Sequence, residues 1–137
     1  MQIKYSFLCE AANLSNGSLN ALGIFDTIRT LKFPCQHPRF TYVANIEFER
    51  SEIGKHPFTL SFVGLDGNNI MPPLRGEINV NPTSLRNSLV LQMNNIKFPE
   101  EGAFKFDLTI DDTQICSDIL KVVLVKQVNP VMAAPRS

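Results

Sequence analysis

Residues 40–49 read FTYVANIEFE, and in an extended chain Phe40, Tyr42, Ala44, Ile46 and Phe48 all fall on one side. Successive side chains of a strand point to opposite faces, so the period of two describes a half-buried β-strand. Its other face carries Thr41, Asn45, Glu47 and Glu49. The pattern returns at Phe58, Leu60 and Phe62 against Thr59 and Ser61. It returns again at Phe104, Phe106, Leu108 and Ile110 against Lys105, Asp107 and Thr109. Helices do not produce three such alternations in one short chain, so the fold class is all-β.

Working outward, less regular strands are expected at about residues 3–12, 19–30, 76–81, 88–96 and 114–125, giving roughly eight in all. Asn16-Gly17 has the chemistry of a type I′ hairpin turn between the first two. Asp66-Gly67-Asn68-Asn69 and Asp111-Asp112 are further turn signals. The prolines, Pro34, Pro38, Pro57, Pro72, Pro73, Pro82 and Pro99, are expected in connections or at edges, because a central strand needs every amide donor. Hairpins at both ends with longer crossings between them predict a single antiparallel β-sandwich of Greek-key type, immunoglobulin-like or jelly-roll-like. The ten phenylalanines suit the core between its sheets. The sandwich is expected over residues 1–125. Residues 126–137, where alternation gives way to prolines and small residues, read as a tail that frays or docks on a neighbour.

Composition narrows the function classes. At 137 residues the chain can bury roughly two-thirds of its unfolded surface without a disulfide or metal staple. Its 13 basic and 13 acidic side chains balance, so nucleic acid is not an expected partner. Met1 to Ala12 is too polar for a secretory signal, and no run approaches the length of a membrane span. Cys9, Cys35 and Cys116 are odd in number and irregular in spacing, which fits a reducing, cytoplasmic setting better than a disulfide framework.

Few residues ask for chemistry. Asp26 shares its parity with Leu22, Ile24 and Ile28, and a carboxylate on an apolar strand face is costly unless it is paired. The plainer account is that Gly23 marks a bulge that changes the phase, or that Asp26 accepts backbone amides. Cys35 and His37 are close in a proline-flanked loop, but a zinc site needs three or four ligands and a Cys-His nucleophile needs an orienting group. Asp66, Asn68 and Asn69, and separately Asp111 and Asp112, offer oxygen ligands of the kind calcium takes, without the full set of a dedicated loop. Turn formation uses the same residue types. No metal and no cofactor is implied, and neither a phosphate-binding loop nor a nucleophile elbow is present.

The opening Leu8-Cys9-Glu10-x-Ala12, followed by Ser15-x-Gly17-x-Leu19-Asn20-x-x-Gly23-x-Phe25-Asp26, resembles the N-terminal signature of a family of small, largely uncharacterised bacterial proteins. Phe98-Pro99-x-x-Gly102-x-Phe104-x-Phe106 is similar to that family's closing strands. Ser18 stands where the family is expected to carry a basic residue. The resemblance implies a compact β-sandwich and transfers no catalytic residues. Glu101 to Phe106 also resembles the corner before a late strand of immunoglobulin-like domains, with Phe104 in place of the tyrosine whose hydroxyl closes that corner.

The sequence therefore favours a non-enzymatic binding or assembly module that acts through protein–protein contacts, self-association included. The alternative is a small-ligand binder, for a carbohydrate or nucleotide, using loops at one end of the sandwich. Its expected contacts are Asp26, Tyr42, Asn68, Asn69 and Asp111. A hydrolase using Asp26 or the Cys35 and His37 loop is the third reading.

Overall fold

The computed structural model describes residues 1–126. The expected tail therefore lies, from residue 127 onward, outside the described residues. The described residues form nine strands: β1 (Gln2–Ser15), β2 (Ser18–Phe25), β3 (Thr27–Thr30), β4 (Cys35–Glu47), β5 (Gly54–Gly64), β6 (Leu74–Val80), β7 (Arg86–Phe98), β8 (Gly102–Ile110) and β9 (Thr113–Leu124). One 3-10 turn, Arg50–Glu52, precedes β5. The strands form two packed sheets, a four-stranded one in the order β2-β1-β4-β7 and a five-stranded one in the order β3-β9-β8-β5-β6.

The turn chemistry behaves as read. Asn16 (φ 51°) and Gly17 (φ 78°) both take the left-handed region, which a two-residue type I′ turn requires, and Ser15 pairs with Ser18 across it. Asp111 (φ 53°) and Asp112 (φ 63°) do the same between β8 and β9, where Ile110 pairs with Thr113.

The core lies where the three alternating stretches converge. Phe58, Leu60 and Phe62 of β5 and Phe104, Phe106, Leu108 and Ile110 of β8 are buried facing Phe40, Tyr42, Ala44 and Ile46 of β4. The Phe106 ring is central, stacked on Phe62 at 4.0 Å between centroids and meeting Phe40 edge-on at 6.0 Å. Offset and edge-on contacts of this kind favour the ring quadrupoles beyond simple area burial.

Several expectations are corrected. The single strand foreseen at 19–30 is two, because the chain leaves the first sheet at Asp26 and enters the second as β3. Nor is the sandwich wholly antiparallel, since β3 runs parallel to β9 from Thr27 opposite Lys121 to Thr30 opposite Leu124. Backbone bonds from Lys121 N–H to the Asp26 carbonyl and from Val125 N–H to the Thr30 carbonyl bracket that short pairing. Pro38 and Pro57 lie inside β4 and β5 instead of in connections. β1 pairs with β4 only from Thr41 onward and β8 pairs with β5 only from Phe58 onward, so neither proline interrupts those two ladders. Finally, β4 is buried on both faces from Phe40 to Ile46. It is a central strand, and on its outer face Val43 is flanked in register by Phe7 and Val90. Asn45, also on that face, donates to Ser88 Oγ at 2.8 Å and accepts from Arg86 Nε, so its burial leaves no polar atom unpaired.

Candidate functional site

The five residues expected to contact a ligand do not converge. Tyr42 is fully buried, with its hydroxyl 3.3 Å from Cys116 Sγ, and so belongs to the core and not to a loop end. Burial, ahead of that contact, pushes the Tyr42 phenol up, and burial likewise pushes up the thiols of Cys116 and Cys9. These groups stay neutral, which is the inert behaviour of interior cysteines.

Asp111 uses its carboxylate on His56, whose Nδ1 stands 2.6 Å from Asp111 Oδ2. The other ring nitrogen, Nε2, is 2.5 Å from the Glu52 carbonyl, and the ring stacks on Phe48. An imidazole with an acceptor at each nitrogen must donate from both, so the charged form is favoured. The Glu52 carbonyl first, and Asp111 second, hold the His56 pKa above its ordinary value. Asp111 thereby ties the β8–β9 turn to the start of β5.

Asn68 and Asn69 lie at the other end of β5. Phe58 opposes Ile110 and Gly64 opposes Phe104, so the two ends are six residues, about 20 Å, apart. Asp66 organises this loop by accepting the Asn68 N–H at 3.0 Å and the Asn68 side-chain amide at 2.9 Å. Asn68, Asn69, Leu65, Glu100 and Phe104 line a shallow groove of about 430 Å³ there.

Asp26 is exposed, with its carboxylate accepting from Thr27 Oγ1 at 2.9 Å. The apolar face that seemed to surround it is not the buried one. Residues directly opposite each other in neighbouring strands share a face, and Leu8, opposite Tyr42 and Phe25, is on the core side. Phe25 therefore faces inward, and Leu22 and Ile24 face outward, at 73% and 63% exposure. The register of β1 on β2 runs through Gly23 without a shift, so no bulge restores the phase. A Cβ at Gly23 (φ +67°) would stand 2.7 Å from Glu10 Cγ, which accounts for glycine there. Asp26 opens onto a cleft of about 340 Å³ shared with Ser6, Phe7, Ile24, Asp118 and Ile119. Cys35 and His37 do not line it, so the acid is not assembled with them. Among the described residues no group of three or more His, Cys, Asp or Glu side chains is placed to hold a metal.

What the geometry does present is the edge of the first sheet. β2 has β1 as its only strand neighbour among the described residues, which leaves one row of its backbone groups unpaired. Four strands end the two sheets, and three of them carry charge. β3 has Arg29, β6 has Arg75 and Glu77, and β7 has Arg86 and Lys97. Charged side chains on an edge discourage the addition of another strand. β2 reads SLNALGIF, with no charge and no proline, and exposes Leu22 and Ile24. Beside them on the same outer face, the Tyr5 and Phe7 rings stack at 5.9 Å. Reading Leu22 and Ile24 as buried hid this edge, although the absence of charge across eight strand residues was visible in the sequence.

The architecture so described is a two-sheet, all-β protein in which, among the described residues, one open edge is uncharged. The chain belongs to a family of unknown function, DUF6941, whose model matches residues 4–123. No curated protein matches it.

Proposed function

We propose that this chain is a non-enzymatic protein-binding module whose contact surface is the open β2 edge with its outward Leu22 and Ile24. The observation that carries the reading is the contrast among edges: an eight-residue strand without charge beside three edges that bear it. An unpaired strand edge offers main-chain hydrogen bonds for affinity, and its alternate side chains supply selectivity. Leu22 and Ile24 add apolar area of the kind that marks contact surfaces. The partner is a protein that contributes an extended segment.

The test is affinity isolation with the wild-type chain and with Leu22→Lys, a change at an exposed position that leaves the core alone. A partner held by the first bait and lost by the second supports the edge. Equal recovery by both removes it.

A second reading, small-ligand binding at one end of the sandwich, draws support from the groove where Asn68 and Asn69 meet Glu100. A thermal-shift screen of sugars and nucleotides without any stabilised member would discard it.

The strand order supports the immunoglobulin-like form of the Greek key. β4 pairs with β7 in one sheet while β6, β5, β8 and β9 adjoin in the other, with β3 parallel to the last strand. Free thiols at all three cysteines support the reducing cytoplasm as the compartment. Among the described residues no helix is long and apolar enough to cross a membrane.

A further inference from the structure

Resting on the reading of β2 as a binding edge, we infer that the strand it receives is β2 of a second copy of this chain. The two strands pair antiparallel about a two-fold axis and join two four-stranded sheets into one of eight.

A two-fold pairing sets a strand against itself, so any net charge on it meets its own image. β2 carries no charged residue at all, whereas β6, where Arg75 and Glu77 also cancel, exposes no large apolar side chain. The edges at β3 and β7 carry only basic residues, Arg29 on one and Arg86 with Lys97 on the other, and so would repel their own copies.

The hairpin turn sets which groups are free. In a two-residue turn the flanking residues, here Ser15 and Ser18, exchange both backbone bonds, and the pattern then alternates along the ladder. Ser18, Asn20 and Leu22 thus bond to β1, and Leu19 and Ala21 point their N–H and C=O groups away from it. The straight run ends at Gly23, whose φ of +67° turns the backbone, so the axis falls within Ser18–Leu22. Leu22 and Ile24 of each copy then continue the outer apolar face of the other. One strand pair with these side chains makes a small interface, and such contacts dissociate at roughly micromolar concentration or above.

Sedimentation equilibrium on the full chain from about 1 to 300 μM tests this range. A concentration-dependent dimer is expected. Ala21→Pro removes an outward N–H without touching the β1 ladder, and Leu22→Lys places a charge on the apolar face that the two copies would share; both should be monomeric, with circular dichroism confirming the fold. Gln92→Lys, on the β7 edge of the same sheet, should remain dimeric.

A wild-type chain that is monomeric throughout, or a dimer that survives both β2 changes, overturns self-pairing. So does a monomer whose Leu19 and Ala21 amides are nonetheless protected from hydrogen exchange, because another segment would then hold the edge. The affinity isolation separates this failure from that of the module itself. A monomeric chain that still loses a heterologous partner on Leu22→Lys keeps the binding edge, and one that loses nothing forfeits both.

Discussion

At position 56 both ring nitrogens of a histidine are taken, one by Asp111 and the other by the Glu52 carbonyl. Both contacts favour imidazolium, so the folded pKa lies above the unfolded value of about 6.5. A raised pKa contributes stability that is fully present below the unfolded value and is lost as pH rises through the folded one. The unfolding free energy should therefore decline as pH climbs from about 6.5 through neutrality, and His56→Gln should flatten that decline. An NMR titration of the His56 ring with its midpoint at or below about 6.5 would contradict the assignment. Asp111 is 40% exposed, so a double-mutant cycle on the pair should return only about 0.5–1 kcal/mol. The same carboxylate had been legible as a turn residue and a ligand candidate. Its partner lies 55 positions away, a separation that no local pattern encodes.

At the scale of the element, hairpins were the most legible feature and strand faces the least. The β8–β9 turn holds two aspartates in the left-handed region, where glycine is better suited at the second position. Asp112→Gly should therefore raise stability by about 0.5–1 kcal/mol in urea unfolding, and an unchanged or lowered midpoint would refute the turn assignment. Gly76 in β6 behaves in the opposite sense. A Cβ there would stand 2.7 Å from Cε2 of the Phe58 ring, which is itself packed in the core. Gly76→Ala should cost about 1–3 kcal/mol, with Phe58 displaced in the variant's structure. The face of β2 misled because alternation identifies two faces without saying which is covered. On a central strand such as β4 both are covered, and on an edge strand such as β2 the apolar residues can look outward.

For the whole molecule, stability concentrates where the aromatic residues of both sheets meet. Phe106 touches Phe62, Phe40 and Tyr42, so Phe106→Ala should remove about 3–5 kcal/mol. That is a large part of the 5–15 kcal/mol typical of a domain, and thermal unfolding should show it as a sharp loss of midpoint. If β2 pairs with its copy, the wild-type midpoint should also rise with protein concentration, and that of Leu22→Lys should not. By itself the sequence determined the all-β class, the type I′ turn at Asn16-Gly17 and the buried faces of β5 and β8. Those features follow from backbone geometry and side-chain alternation, which act over a few neighbouring residues. Only the tertiary structure decided that the chain changes sheets at Asp26, that Tyr42 is sealed in the core and that β2 stands at an edge with Leu22 and Ile24 outward. Each of these depends on which strands lie side by side, and that is settled by contacts between residues far apart in the chain.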